Sequence, residues 1–448
     1  MRDTRCVKRG SLIINRQSSI VMPALYLHIP FCAARCAYCD FNTYAGLETL
    51  YEPYVSALSE EIRRAGEAAG RPPVRTIFIG GGTPTVLPVA LLARALEACF
   101  AAFVVAPTAE ITCEANPGTT DQAHFAALRA QGVNRLSLGV QSFDDGELRG
   151  LGRIHTAREA ETAFCQARTA GIENINLDLI YGLPAQDPAV WRRTLARAVA
   201  LSPEHLSLYS LTVERGTPLA RQVRRGRTPA PDDDLAADLY QAACDLLAQH
   251  GYVHYEISNW ARLANQRIGE SANLPSFASC RCCYGISRSP TAIGSSPPAS
   301  SDQLPASSFH QCQHNLVYWR REPYLGFGAG AHSFDGVRRS WNVRSVPRYV
   351  ERVEAGRSPQ AGGERIGRRT AMGETMMLGL RLVQEGVPDE RFRAQFDRDL
   401  EDVFGVEIGD LIARGLLERL PDRVRLTPAG VLLGNRVFAE FMGYDDGP

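Results

Sequence analysis

Three cysteines, Cys32, Cys36 and Cys39, stand close together near the amino end in the run FCAARCAYC. This CxxxCxxC spacing puts three thiolates on one short loop, enough to hold three corners of a [4Fe–4S] cluster and leave the fourth iron open. A structural zinc ion is the alternative reading. Zinc wants four ligands, and no fourth Cys or His follows at a suitable spacing; Phe41 stands where one would come. An open iron can chelate the amino and carboxylate groups of S-adenosylmethionine (SAM), and one electron then splits the sulfonium to give a deoxyadenosyl radical. That chemistry belongs to the cofactor, and the protein supplies orientation and shielding.

Other residues suit such a ligand. The run Gly80, Gly81, Gly82, Thr83, Pro84 lets backbone approach a ligand without Cβ clashes. Glu114, Asn116, Gln141 and Asp178 offer polar ends for ribose hydroxyls or an ammonium, and Arg153 offers a planar fork for a carboxylate. Each alone is an ordinary polar group. Together they require a scaffold that brings them to one face.

The pattern of elements supplies one. Six β-rich runs begin at Leu25, Thr76, Glu110, Arg135, Asn174 and His205. Helical periodicity fills 51–69, 90–103, 123–131, 157–170 and 235–250, and strand-helix alternation predicts a parallel sheet. Each strand is followed at once by a Cys, Gly, Pro or polar cluster, which is where an α/β barrel builds its active site. The expected fold is α/β, a partial (β/α)6 TIM-type barrel.

The 448 residues carry 49 basic and 49 acidic side chains, so the whole chain has no net attraction for nucleic acid or an acidic membrane. No apolar run reaches the roughly 18 to 20 residues of a membrane span, and no compact signal core opens the chain. Twelve cysteines in a chain this large read as cytoplasmic thiols or ligands rather than disulfides. Residues 1–21 read as an N-terminal extension and 22–264 as the barrel. The stretch 265–308, rich in Ser, Pro and Ala, reads as a disordered insertion, and its Cys280, Cys282 and Cys283 as incidental thiols. Residues 309–365 connect to a C-terminal helical unit over 366–448, where the helix EIGDLIARGLLERL, the strand DRVRL and LTPAG resemble a winged helix. That unit holds 11 Arg against 15 Asp and Glu, a balance of −4, where a reader of phosphates would be basic.

The motifs ALYLHIPFCAARCAYCDFNTY, IGGGTPT, EANPGT, LSLGVQSFD, NLDLIYGLPAQ and HYEISNWA resemble the oxygen-independent coproporphyrinogen III oxidase group of radical SAM enzymes. The likeness covers the chain apart from its ends and the 265–308 segment. It implies cluster ligation by Cys32, Cys36 and Cys39, and SAM contacts from Tyr26, Tyr38, Gly81, Gly82, Thr83, Glu114, Gln141, Arg153 and Asp178. It also implies the partial six-stranded barrel.

Two branches of that group differ. The decarboxylating oxidases carry a fourth Cys two positions after the third, where this chain has Phe41. The ending CxYCDF and the run from Cys312 through His314, Asn315, Tyr318 and Trp319, followed by GFGAGAHSF from Gly326, resemble instead the heme chaperone branch. The expectation is therefore heme transfer to an acceptor, such as a respiratory hemoprotein, with flavodoxin or ferredoxin as electron donor if SAM is cleaved. The alternative is oxidative decarboxylation of coproporphyrinogen III. For heme, His314, Cys312 and Trp319 are the candidates, since His and Cys ligate heme iron and Trp packs on a porphyrin face. His28 and His332 are also open.

Overall fold

The computed structural model describes residues 22–263 and 310–442. The 1–21 extension and the 265–308 insertion with its three cysteines lie outside the described residues.

The six expected strands form: β1 (Ala24–Ile29), β2 (Pro73–Gly81), β3 (Val104–Ala115), β4 (Arg135–Gln141), β5 (Asn174–Tyr181) and β6 (His205–Ser210). They lie side by side in chain order, all parallel. A strand covered on both faces must be buried throughout, and every residue of RLSLGVQ in β4 is buried.

The crossover helices are α1 (Tyr51–Ala69), α2 (Val89–Ala102), α3 (Gln122–Ala130), α4 (Asp145–Leu151), α5 (Ala157–Thr169), α6 (Pro188–Ala200), α7 (Pro218–Arg224) and α8 (Asp233–Gln249). Their starts are chemically marked. Asp121 caps α3, Asp144 caps α4, and Thr156 with Glu159 forms a capping box on α5, each satisfying N–H groups with no partner inside the helix.

The sheet does not close. Beyond β6 it continues antiparallel through β7 (Val253–Glu256) and β8 (Asn259–Ala261), in the order β6-β8-β7. Beyond β1 it adds β9 (Tyr324–Phe327), β10 (His332–Phe334), β11 (Arg338–Asn342) and β12 (Gln360–Arg365), giving twelve strands. The 309–365 stretch thus extends the sheet, because β9 pairs parallel with β1 from Ala24↔Tyr324 to Leu27↔Phe327.

The short helix α9 (Gln313–Trp319) is fixed to the sheet by Glu110. That carboxylate accepts the backbone N–H of Gln313 and of His314, each at 3.0 Å, as suits the positive end of a helix.

The C-terminal unit has its own apolar core, with Phe392, Phe404, Val424 and Phe441 fully covered. Its three-stranded antiparallel sheet is interleaved with helices: Asp389–Phe396 and Leu400–Ala413 lie between the short strand Val387–Pro388 and the hairpin Leu417–Leu420/Arg423–Leu426, and Pro428–Leu432 and Gly434–Phe441 follow, an arrangement resembling a winged helix. One element departs from expectation: the helix over EIGDLIARGLLERL stops at Ala413. Gly415 turns the chain at φ +70, and Leu417–Leu420 becomes a strand paired with Arg423–Leu426. The Leu-rich run has enough apolar spacing for either form, and pairing after a glycine turn decides it. Among the described residues no helix is long and apolar enough to cross a membrane.

Candidate cluster and cofactor site

The cysteine loop leaves β1 at Ile29 and folds back on itself. Tyr44 N–H donates to Pro30 O at 2.7 Å and Cys32 N–H to Tyr44 O at 2.9 Å. Its far end is pinned to the β9–β11 region, where Asn42 Nδ2 donates to Ala329 O and Arg344 O at 3.0 and 3.1 Å. The near end lies against the glycine run: Gly82 N–H donates to Ile29 O at 2.8 Å and Thr83 N–H to Phe31 O at 2.7 Å. A Cβ on Gly82 would stand 2.4 Å from Phe31 O and 3.0 Å from Cys32 Sγ. Glycine is therefore required there by close backbone approach.

A chain of polar contacts links two of the sulfurs. Arg153 Nη1 donates to Cys36 Sγ at 3.3 Å and its Nη2 to Asn116 Oδ1 at 2.6 Å and Gly139 O at 2.7 Å. Asn116 Nδ2 donates to Thr83 Oγ1 at 2.6 Å, and Thr83 Oγ1 to Cys32 Sγ at 3.7 Å. Cys39 Sγ lies 3.7 Å from Thr43 Oγ1. Burial raises the Cys32 thiol above its ordinary value, Thr83 opposes that, and the neighbouring Cys39 and Cys36 add to it.

All three cysteines face a cavity of about 500 Å³. Tyr38 from the cysteine loop, Gly81, Gly82, Thr83, Glu114, Gln141 and Asp178 from β2 to β5 and the turns after them, and Arg153 from just after α4 line the same space. Tyr26 is set apart: it stacks on Phe78 at 6.2 Å, bonds His28 Nδ1 at 3.0 Å and lines a neighbouring cavity that shares Glu114.

The carboxylates are held by register. Glu114 lies opposite Ser137, and Asp178 opposite Ser207. Ser137 Oγ donates to Asp178 Oδ2 at 2.8 Å and Asn176 Nδ2 to Asp178 Oδ1 at 2.9 Å. Glu114 Oε2 accepts Gly81 N–H at 3.0 Å. Burial lifts the Glu114 carboxyl to about 7, with nearby Asp178 adding to the rise and the Gly81 N–H opposing it. Ser137 and Asn176 were not singled out in the sequence. The available signal was a polar residue at alternate positions of strands whose other residues are apolar.

The wall fits a bound group with hydrogen-bonding needs. Gln141, held at φ +68, carries a buried Oε1 without a partner, and Arg153 Nε is likewise buried and unpaired. Buried polar atoms without partners are uncommon, and both residues line the cavity together with the three cysteines. Among the described residues no three His, Cys, Asp or Glu side chains gather as around one bound ion.

His314, Cys312 and Trp319 are placed differently. His314 is 1% exposed, with Nδ1 2.9 Å from Thr76 Oγ1 and Nε2 2.9 Å from Tyr318 OH. Burial, with Arg135 and Arg75, pushes its imidazole down to about 3. Cys312 is fully buried with Sγ 3.6 Å from Glu110 Oε1, and burial pushes its thiol up to about 12. Trp319 carries the Arg381 guanidinium over its ring at 4.4 Å. As folded, both His314 nitrogens are engaged, the Cys312 sulfur is buried, and one face of the partly exposed Trp319 ring is covered. The contacts of this motif seat α9 against the barrel.

Residues 26–198 match the Radical SAM superfamily and residues 366–433 the HemN C-terminal domain. The solved structure of coproporphyrinogen III oxidase (HemN) from Escherichia coli, described as a radical SAM enzyme, superposes with a TM-score of 0.74 at 23% identity, covering 95% of this chain and 91% of that one. Heme chaperone HemW from Bacillus subtilis is 34% identical over 94% of this chain and 100% of its own. HemW from Mycobacterium tuberculosis is 34% identical over 96% and 100%, and HemW from Escherichia coli 33% over 94% and 98%. The radical SAM fold, the HemN-type C-terminal unit and this full-length likeness together assign the chain to the heme chaperone HemW family of radical SAM proteins.

Proposed function

We propose that this chain carries heme and passes it to an acceptor hemoprotein, with a [4Fe–4S] cluster on Cys32, Cys36 and Cys39 and SAM in the adjoining cradle. The observation behind this reading is one cavity lined by the three cysteines together with Gln141 and Arg153, each of which carries a buried polar atom without a partner, in a chain alike over its length to proteins named heme chaperones.

The residues divide the work. The three thiolates would hold the cluster, which when loaded supplies an open iron and electrons. Arg153 offers positive charge to a ligand carboxylate. Glu114 and Asp178 offer acceptors to hydroxyls or an ammonium, and Gln141 orients a polar group at the cavity wall. If SAM is cleaved, a flavodoxin or ferredoxin supplies the electron, and the working compartment is the cytoplasm.

Anaerobic reconstitution with iron and sulfide, followed by heme titration and transfer to an apo-hemoprotein, tests this. The expected result is about one cluster per chain, a saturable heme spectrum and net transfer. Conversion of coproporphyrinogen III to protoporphyrinogen with consumption of SAM would instead establish the oxidase reading. Protein that holds neither cluster nor heme would end both.

A further inference from the structure

A second cavity, of about 720 Å³, adjoins the first and shares Phe41, Gly81 and Glu114 with it. Its size suits an organic ligand, and its far wall is the β9–β11 region. His332 at the start of β10 is exposed there. Three histidines lie near the two cavities, and their nitrogens separate them. His28 uses Nδ1 on Tyr26 OH and Nε2 on Asn42 O, each at 3.0 Å, and both His314 nitrogens are engaged by Thr76 and Tyr318. The His332 backbone pairs with β11, but its imidazole nitrogens have no hydrogen-bond partner among the described residues. Burial and the nearby Arg339 and Arg344 guanidiniums lower its pKa, favouring the neutral imidazole that binds metals.

Its neighbours suit a flat apolar ligand with acidic edges. The Trp341 ring lies 5.9 Å from the His332 ring at an interplanar angle of 32°. Trp341 is backed by Gly362, where a Cβ would stand 2.7 Å from the indole. Phe41 is 65% exposed on the rim, where its ring is accessible to a ligand. Arg344 is exposed on the same wall and forms no salt bridge among the described residues. We propose that heme is seated in this second cavity, with His332 as an iron ligand, Trp341 and Phe41 against the macrocycle and Arg344 at a propionate.

This assignment rests on the heme-carrier reading above and goes further by naming the seat. It also moves the ligand from the buried His314 to His332, whose ring nitrogens have no hydrogen-bond partner among the described residues, beside the cluster cavity.

The test is an anaerobic titration of the full, cluster-loaded chain with ferric heme and, separately, with iron-free protoporphyrin. The proteins are wild type, His332→Gly, Arg344→Gln and His314→Phe, with iron content and circular dichroism recorded for each. The proposal expects His332→Gly to weaken heme binding by about tenfold or more and to shift the Soret band, with added imidazole restoring both. It expects Arg344→Gln to weaken heme and protoporphyrin alike, and His314→Phe, where folded, to keep the wild-type heme spectrum. Unchanged heme affinity and spectrum in His332→Gly would overturn the seat while leaving the heme-carrier reading intact. A wild type that binds no heme would overturn both, and protoporphyrin binding as tightly as heme would remove the iron–imidazole bond.

Discussion

Arg153 donates to the Cys36 sulfur at 3.3 Å, and the same guanidinium reaches Asn116 and the Gly139 carbonyl. One side chain thus fixes the end of β3, the end of β4 and the cysteine loop relative to one another. A planar fork with several donors can do this, and a lysine's point charge cannot.

Arg153→Lys should therefore keep the fold but lose positional control. Each charge-assisted hydrogen bond contributes roughly 1.5 to 3 kcal/mol, so SAM affinity should fall about tenfold or more, and reconstituted iron should drop as the Cys36 side of the loop loosens. Isothermal titration with SAM and iron analysis check it. Wild-type values in both would show that Arg153 is a bystander.

Gly82→Ala places a methyl group 2.4 Å from Phe31 O and 3.0 Å from Cys32 Sγ. The nearest obstacle is backbone, which cannot swing aside as a long side chain would. Overpacking of this kind costs about 1 to 3 kcal/mol, and the strain falls on the segment holding Cys32. Cluster content should fall further than global stability does. The comparison is iron per chain against the urea midpoint of the apo-protein.

Two carboxyls, Glu114 and Glu61, are each raised to about 7, chiefly by burial. Glu61 accepts from Tyr349 OH, Gly328 N–H and Asn342 Nδ2, so it holds the wall of the second cavity. A carboxyl raised in the folded state favours folding while it is protonated. That contribution is present below the ordinary Glu value and is lost as pH climbs through about 7. Buried imidazoles such as His314 pull the other way, so the quantity to measure is wild type against Glu61→Gln. The stability of the variant relative to wild type should rise between pH 5 and 7.5, and a difference that is flat with pH would contradict the assignment.

The parallel sheet was legible because its information is local. Apolar strands alternate with periodic helices, and the polar clusters fall directly after the strand ends. The cysteine loop was legible for the same reason: three ligands sit within eight residues. The roles of Asn116, Ser137 and Asn176 were not, because their partners Arg153, Thr83 and Asp178 come from other strands and loops, and register alone unites them. His314 shows what sequence neighbours leave out. Residue type and aromatic neighbours suggest metal binding, whereas Thr76, which occupies Nδ1, is 238 positions away. Nor could composition show that GFGAGAHSF continues the sheet beside β1, since that depends on a long-range parallel pairing.

His314→Ala should behave as a structural lesion. It empties a fully buried site and strips a partner from both Thr76 Oγ1 and Tyr318 OH. Unpaired buried hydroxyls cost about 1 to 3 kcal/mol each, with a cavity penalty added, so the urea midpoint should fall clearly. Heme affinity, measured below the new unfolding range, should be retained. Normal stability with heme binding abolished is the result that would restore His314 as a ligand.

The seam between barrel and C-terminal unit depends on Glu256 and Arg381. Glu256 is fully buried and takes two bonds from the Arg381 guanidinium, at 2.9 and 2.6 Å. The same arginine lies over Trp319, and its backbone carbonyl accepts Ile257 N–H at 3.1 Å. Removing the arginine leaves the carboxylate buried without its countercharge, a loss of about 3 to 5 kcal/mol for a pair of this kind. Replacing both partners removes the stranded charge. Arg381→Met should therefore loosen the docking of the C-terminal unit, seen as faster proteolysis between the barrel and residue 381, and the double variant Glu256→Gln with Arg381→Met should recover much of the resistance. Equal proteolysis in the single variant, the double variant and wild type would mean that the apolar contacts alone hold the seam, with the ion pair contributing only its orientation.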